Sequence, residues 1–127
     1  NKEALSIWLQ KMRFLYISII SFFMLNPSLA QELPTIKSYI ENKERTLHDS
    51  FIYGLENGIE WLNEYSYTKH GVQIYCKPND LILSVKQLKK FIDEEIATEN
   101  TFYDKYQDAP LLGLALRNAY ISNFPCN

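Results

Sequence analysis

The residues with the most chemical scope here are Cys76 and Cys126, His48 and His70, and the acids Glu56, Glu60 and Glu64. A thiolate beside an imidazole would give a nucleophile and its base. In an oxidising compartment, however, two cysteines in a small domain pair with each other, which leaves no thiolate for either histidine. His48 is next to Asp49, and neighbouring residues on a helix point in different directions. Glu56, Glu60 and Glu64 recur every four residues, the pattern of a solvated helical stripe rather than an acid–base pair. Two cysteines and two scattered histidines lack the spacing of metal ligands, and no glycine-rich phosphate loop occurs. The sequence therefore predicts no catalytic residue, no metal and no cofactor.

The compartment is read from the first thirty residues. Lys11 and Arg13 precede the apolar run FLYISIISFFML, and Ser28 and Ala30 place small residues before Gln31. That order predicts a secretory signal peptide within residues 1–30, with Met12 as the start of translation and residues 1–11 as upstream sequence. A membrane span would need about twenty apolar residues, and this run meets Asn26 and Pro27 first. The remaining domain, 31–127, carries ten lysines and arginines against fourteen acids once Lys2, Lys11, Arg13 and Glu3 are set aside. A mildly acidic chain without a basic stripe argues against nucleic acid, and no polybasic segment would hold the exported domain on a membrane. The predicted location is an oxidising space outside the cytoplasm, where Cys76 and Cys126 are expected to be bridged. A loop of that length stabilises by about 4 kcal/mol in the chain-entropy picture.

Three helical segments are expected to position these residues. The first covers residues 35–63, where Ile36, Ile40, Leu47, Phe51, Leu55, Ile59 and Leu62 fall at helical spacings. Thr46 and Asp49 stand three apart like a capping box, which permits a break near Thr46. Gly54 and Gly58 lie four apart on one face. Each costs about 1 kcal/mol in a helix interior, so close packing of another helix is expected over them. Residues 65–83 read as irregular, with a short hairpin around His70 and Gly71 permitted. Ser84 and Gln87 form a capping box for the second helix, whose stripe is Val85, Leu88, Ile92 and Ile96. After a polar connection at 99–108, Asp108 would cap the third helix with Pro110 in its first turn. Leu112, Ala115, Leu116, Ala119 and Tyr120 supply its apolar face, and Pro125 turns Cys126 back toward the core. The fold class is all-α: a small single-domain helical bundle stapled by one disulfide.

Tyrosines gather at the connections. Tyrosine offers large contact area at low entropy cost, which suits a recognition surface, and it equally suits the roof of a thin core. On the recognition reading, Tyr65, Tyr67, His70 and Tyr75 form the first candidate surface, and Tyr103 and Tyr106 the alternative.

Over residues 49–126 the stretches FIYGLENGIEW, YCKPNDL leading into VKQLKKFIDEE, and APLLGLALRNAYISNFPC resemble the Rap/Tai immunity proteins, which protect bacteria against type VI secretion amidases. That resemblance implies an all-α domain exported to the periplasm, a disulfide matching Cys76 to Cys126, the homodimer common in that family, and one partner. The partner is a cognate peptidoglycan amidase effector, a cysteine-histidine peptidase whose cleft the immunity protein plugs. Two readings from other classes remain: a small periplasmic acid-stress chaperone, and an adaptor domain of the cell envelope.

Overall fold

The computed structural model describes residues 33–126, and the signal-peptide reading of residues 1–30 lies outside them. The described residues form five helices and no strand: α1 (Ile36–Glu41), α2 (Thr46–His70), α3 (Val85–Thr98), α4 (Asn100–Lys105) and α5 (Leu112–Asn123). The fold is all-α.

Each boundary has a local cause. Thr35 caps α1 through a box with Ser38, its Oγ1 accepting from the Ser38 amide at 3.1 Å. A break does fall before Thr46, but the expected Thr46–Asp49 box is not what makes it. Arg45 is the cap residue and bonds no backbone through its side chain, while Asp49 turns to Lys89 on α3. The helix then runs through the segment read as irregular and ends at Gly71, whose φ of 68° suits a residue without Cβ. The permitted hairpin is therefore absent, because Tyr65, Tyr67 and His70 are helical. Ser84 and Gln87 cap α3 as expected. The third expected helix begins later than its sequence suggested: Leu111 is the cap of α5, and Asp108 and Pro110 precede it. Between α3 and α5 the supposed polar connection contains α4, which forms because it carries Tyr103 into the core.

Packing centres on α3, which lies against α2, α4 and α5, with α5 also against α2. Leu88 and Ile92 of α3 meet Ile52 of α2 and Leu112, Leu116 and Tyr120 of α5 in one core, closed by Ile36, Tyr39, Tyr75 and Tyr103. Two residues of the expected first stripe, Ile40 and Leu62, are exposed.

Gly54 and Gly58 correct another expectation. A Cβ built on either would meet nothing within 4 Å, so no helix among the described residues packs over them. The close approach occurs instead at Gly113 on α5, where a Cβ would come within 3.2 Å of Leu55 Cδ2. At the chain end the Cys76 amide donates to the Phe124 carbonyl at 2.7 Å, and Cys76 is bonded to Cys126 across 50 residues. Among the described residues no helix is long and apolar enough to cross a membrane.

Candidate partner-docking surface

Helix α2 outruns the bundle. Beyond buried Asn63, every side chain from position 64 to 70 is exposed except half-buried Ser66. Tyr65 and Tyr67 are 56% and 53% exposed, and the His70 ring stands edge-on to Tyr65 at 6.3 Å. The surface continues into Val72 and Ile74, both exposed, and back along the helix to Trp61 at 71%. Three of the four residues first expected at a docking surface thus share one projecting end.

Tyr75 does not belong with them. It is 2% exposed, stacks edge-on against Tyr120 at 5.0 Å, and donates its hydroxyl to Glu60 Oε1 at 3.3 Å. Its role is to pin the segment after Gly71 to the core. Asn63 does the same from the helix side: its Oδ1 accepts from the amides of Ile74 at 2.7 Å and Tyr75 at 3.4 Å. Its Nδ2 donates to the Tyr75 carbonyl at 3.0 Å. Those bonds satisfy backbone groups that a strand partner would otherwise take. Lys77 adds a bond to the Leu81 carbonyl at 2.6 Å, and the disulfide follows at once. The exposed end is consequently held from both sides, which lowers the conformational entropy it would lose on docking. Sequence reasoning missed Trp61, Asn63, Val72 and Ile74. A polar asparagine in phase with Ile52, Leu55 and Ile59 is the signal that points to the clamp.

The alternative surface is divided as well. Tyr103 is 1% exposed, and only Tyr106, with Phe102 beside it at a ring distance of 5.0 Å, faces outward. Behind them a groove of about 460 Å³ runs between α3, α4 and α5, lined by Glu95, Phe102, Leu114, Asn118 and Ile121. Glu95 Oε1 accepts from the Tyr103 hydroxyl at 3.2 Å and from Asn118 Nδ2 at 3.0 Å. Burial, reinforced by the Glu95 charge, pushes the Tyr103 phenol up to about 12. This groove carries a satisfied structural network at its base.

The groups with catalytic scope are kept apart. Cys76 and Cys126 are oxidised together, His70 is exposed on the projecting end, and His48 is 1% exposed at the start of α2. His48 packs against Tyr39 at 5.7 Å, its Nδ1 meeting no partner, and burial holds its imidazole below the ordinary value. Glu56 and Glu60, read as solvated, instead accept hydrogen bonds from buried Tyr120 and Tyr75. Glu64 alone of the three is exposed, bonded to Thr68. Among the described residues no three of His, Cys, Asp and Glu gather closely enough to hold a metal ion. What the arrangement offers chemically is contact area and hydrogen bonding at a fixed convex end. No family model matches the chain, and no curated protein or solved structure matches it.

Proposed function

We propose that this chain is a periplasmic immunity protein that binds a type VI secretion cell-wall amidase and occludes its active site. The observation that carries the reading is the projecting end of α2, where Tyr65, Tyr67 and His70 are exposed on a support fixed by Asn63 and the Cys76–Cys126 bond. The resemblance of the sequence to the Rap/Tai proteins supplies the partner's class. A convex end suits a concave cleft, and a rigid aromatic contributes contact area with few torsions to freeze. Within the cleft Tyr67 would fill the substrate groove, and the His70 imidazole would hydrogen-bond near the enzyme's cysteine-histidine pair. Such an inhibitor works by exclusion and requires no reactive group of its own.

The test searches the neighbouring reading frames for a secreted cysteine-histidine hydrolase and pairs the protein with it, measuring co-purification and inhibition of peptidoglycan cleavage near neutral pH; neighbouring frames without such a hydrolase count against the reading. Tyr67→Ala/His70→Ala is expected to lose inhibition while keeping its fold, and Phe102→Ala/Tyr106→Ala to retain it. The reverse result moves the site to the α4 end. Retention by both variants removes the occlusion reading for these surfaces.

A further inference from the structure

Two helices end at the groove between α3, α4 and α5, and neither end carries a base. The last turn of α3 supplies Glu95 and Thr98 to the groove and that of α5 supplies Ile121 and Ser122, and no basic residue stands in either turn. A helix C-terminus bears a partial negative charge that a nearby base offsets in many proteins. Here the carboxylates of Glu95 and Glu99 add to it instead. They lie four residues apart, a spacing at which like charges repel, and neither has an ion-pair partner among the described residues. The bases of α4 and α5 are engaged elsewhere. Arg117 Nη2 donates to Asn118 Oδ1 at 2.8 Å, Lys105 sits over the Tyr106 ring at 5.2 Å, and neither lines the groove. Glu95 itself is half-buried: its Oε1 is taken by Tyr103 and Asn118, while its Oε2 accepts no hydrogen bond among the described residues. Water screens such a group less than a fully exposed one, so its pull on a cation is stronger.

We propose that this groove binds a small organic amine, with its ammonium held between Glu95 and Glu99 and its apolar body against Phe102, Leu114 and Ile121. Charge selects the cation. Two carboxylates and two helix C-termini converge on the groove without a base, so an anion is repelled. A metal ion would lack ligands, because no third acid or histidine joins Glu95 and Glu99 among the described residues. The apolar walls select the body, and the length of the groove selects a small molecule. Leu114 and Ile121 are seven residues apart on α5, about 10 Å, which is room for only about three residues of extended peptide. The volume of about 460 Å³ falls within the roughly 300–1,000 Å³ of small-ligand sites. The groove shares no residue with the docking end at Tyr65, Tyr67 and His70, so its test is independent of amidase binding.

The probe is phenylbutylamine, compared with the uncharged phenylbutanol. Each is titrated into the purified protein by calorimetry, while the methyl resonances of Leu114 and Ile121 report where it binds. The amine is expected to shift both residues and to bind at least about tenfold tighter than the alcohol. Glu95→Gln keeps an oxygen that accepts from Tyr103 and Asn118, so the fold is retained. It is expected to weaken amine binding at least about tenfold and to leave the alcohol unchanged. Glu99→Gln, at an exposed position, should act in the same direction. Several results overturn the proposal: no binding at millimolar amine, equal affinity for amine and alcohol, shifts confined to other methyls, or an unchanged affinity in the Glu95→Gln/Glu99→Gln double variant. So does a lysine-bearing peptide that binds at least about tenfold tighter than the amine, which would make the groove a protein-docking site.

Discussion

The interior of the bundle and the projecting end of α2 are both built with tyrosine, and to opposite effect. Inside, four phenols each reach a carboxylate: Tyr39 to Asp93 at 3.0 Å, Tyr75 to Glu60 at 3.3 Å, Tyr103 to Glu95 at 3.2 Å and Tyr120 to Glu56 at 2.8 Å. Three of these bonds join separate helices or join a loop to a helix, and the fourth joins α4 to its neighbour α3. Desolvation and the nearby charge raise all four phenols above their ordinary 10.0. At the projecting end, Tyr65 and Tyr67 are exposed, with no helix among the described residues opposite them. The difference lies in what surrounds the residue, since a tyrosine is buried where an acceptor stands within reach of its hydroxyl and the ring has walls on both sides.

The largest effect should come from breaking the inner set. Tyr120→Ala removes a ring that packs with Tyr75, Phe91 and Phe124 and leaves Glu56 without its donor, so a loss of about 3–5 kcal/mol is expected in chemical denaturation. Tyr67→Ala at the outer end should stay within about 0.5 kcal/mol of the parent. Equal losses at the two positions would cancel the distinction drawn between the regions. Cys126→Ser comes next at about 4 kcal/mol, read as a lower denaturant midpoint with helical content kept in the folded fraction. Asn63→Ala should cost about 2–3 kcal/mol by unpairing buried backbone groups at Ile74 and Tyr75. It should also weaken inhibition by freeing the docking end, a coupling that a change at Tyr67 does not have.

The smallest effect concerns pH. Burial holds the folded His48 imidazole below 6.5, with Arg45 and Lys89 adding to the depression. As pH falls through the unfolded value the unfolded chain binds the proton first, so stability declines below about 6.5 and levels off beneath the folded value. Denaturant midpoints measured at about pH 7.5 and pH 5 should fall further for the parent than for His48→Gln. Parallel slopes would assign the acid sensitivity to other groups.

Local signals in the sequence were reliable where a few adjacent residues decide the outcome. The Ser84–Gln87 box, the stripe Val85, Leu88, Ile92 and Ile96, and the pairing of the only two cysteines all stand in the structure. Signals failed where the decision is made by residues far apart in the chain. Whether Tyr75 or Tyr103 faces in or out depends on Glu60 and Glu95 and on walls supplied by α5, none of which its own neighbours reveal. Gly54, Gly58 and Gly113 look alike in sequence, yet among the described residues only the last lies against another helix, at Leu55 of α2, because burial is fixed by which helix faces the fold brings together. The exposed end at Tyr65, Tyr67 and His70 was legible through its aromatic residues, while Asn63 shows in the sequence only as a polar residue in phase with Ile52, Leu55 and Ile59, which does not say what it holds.

The covalent bond between Cys76 and Cys126 encloses α3, α4 and α5 in one ring. Within that ring the segment at 78–84 is largely exposed, and Ile82, at 90%, stands almost free of the surface, as a protease recognition loop would. A single cut there leaves one molecule, whose two pieces separate only after reduction. The ends created by the cut lie on the ring, whereas Tyr67, His70 and the clamp at Asn63 lie before it. Hydrolysis at this exposed loop therefore nicks the domain without detaching the end that would meet the proposed partner, a form of durability against peptidases.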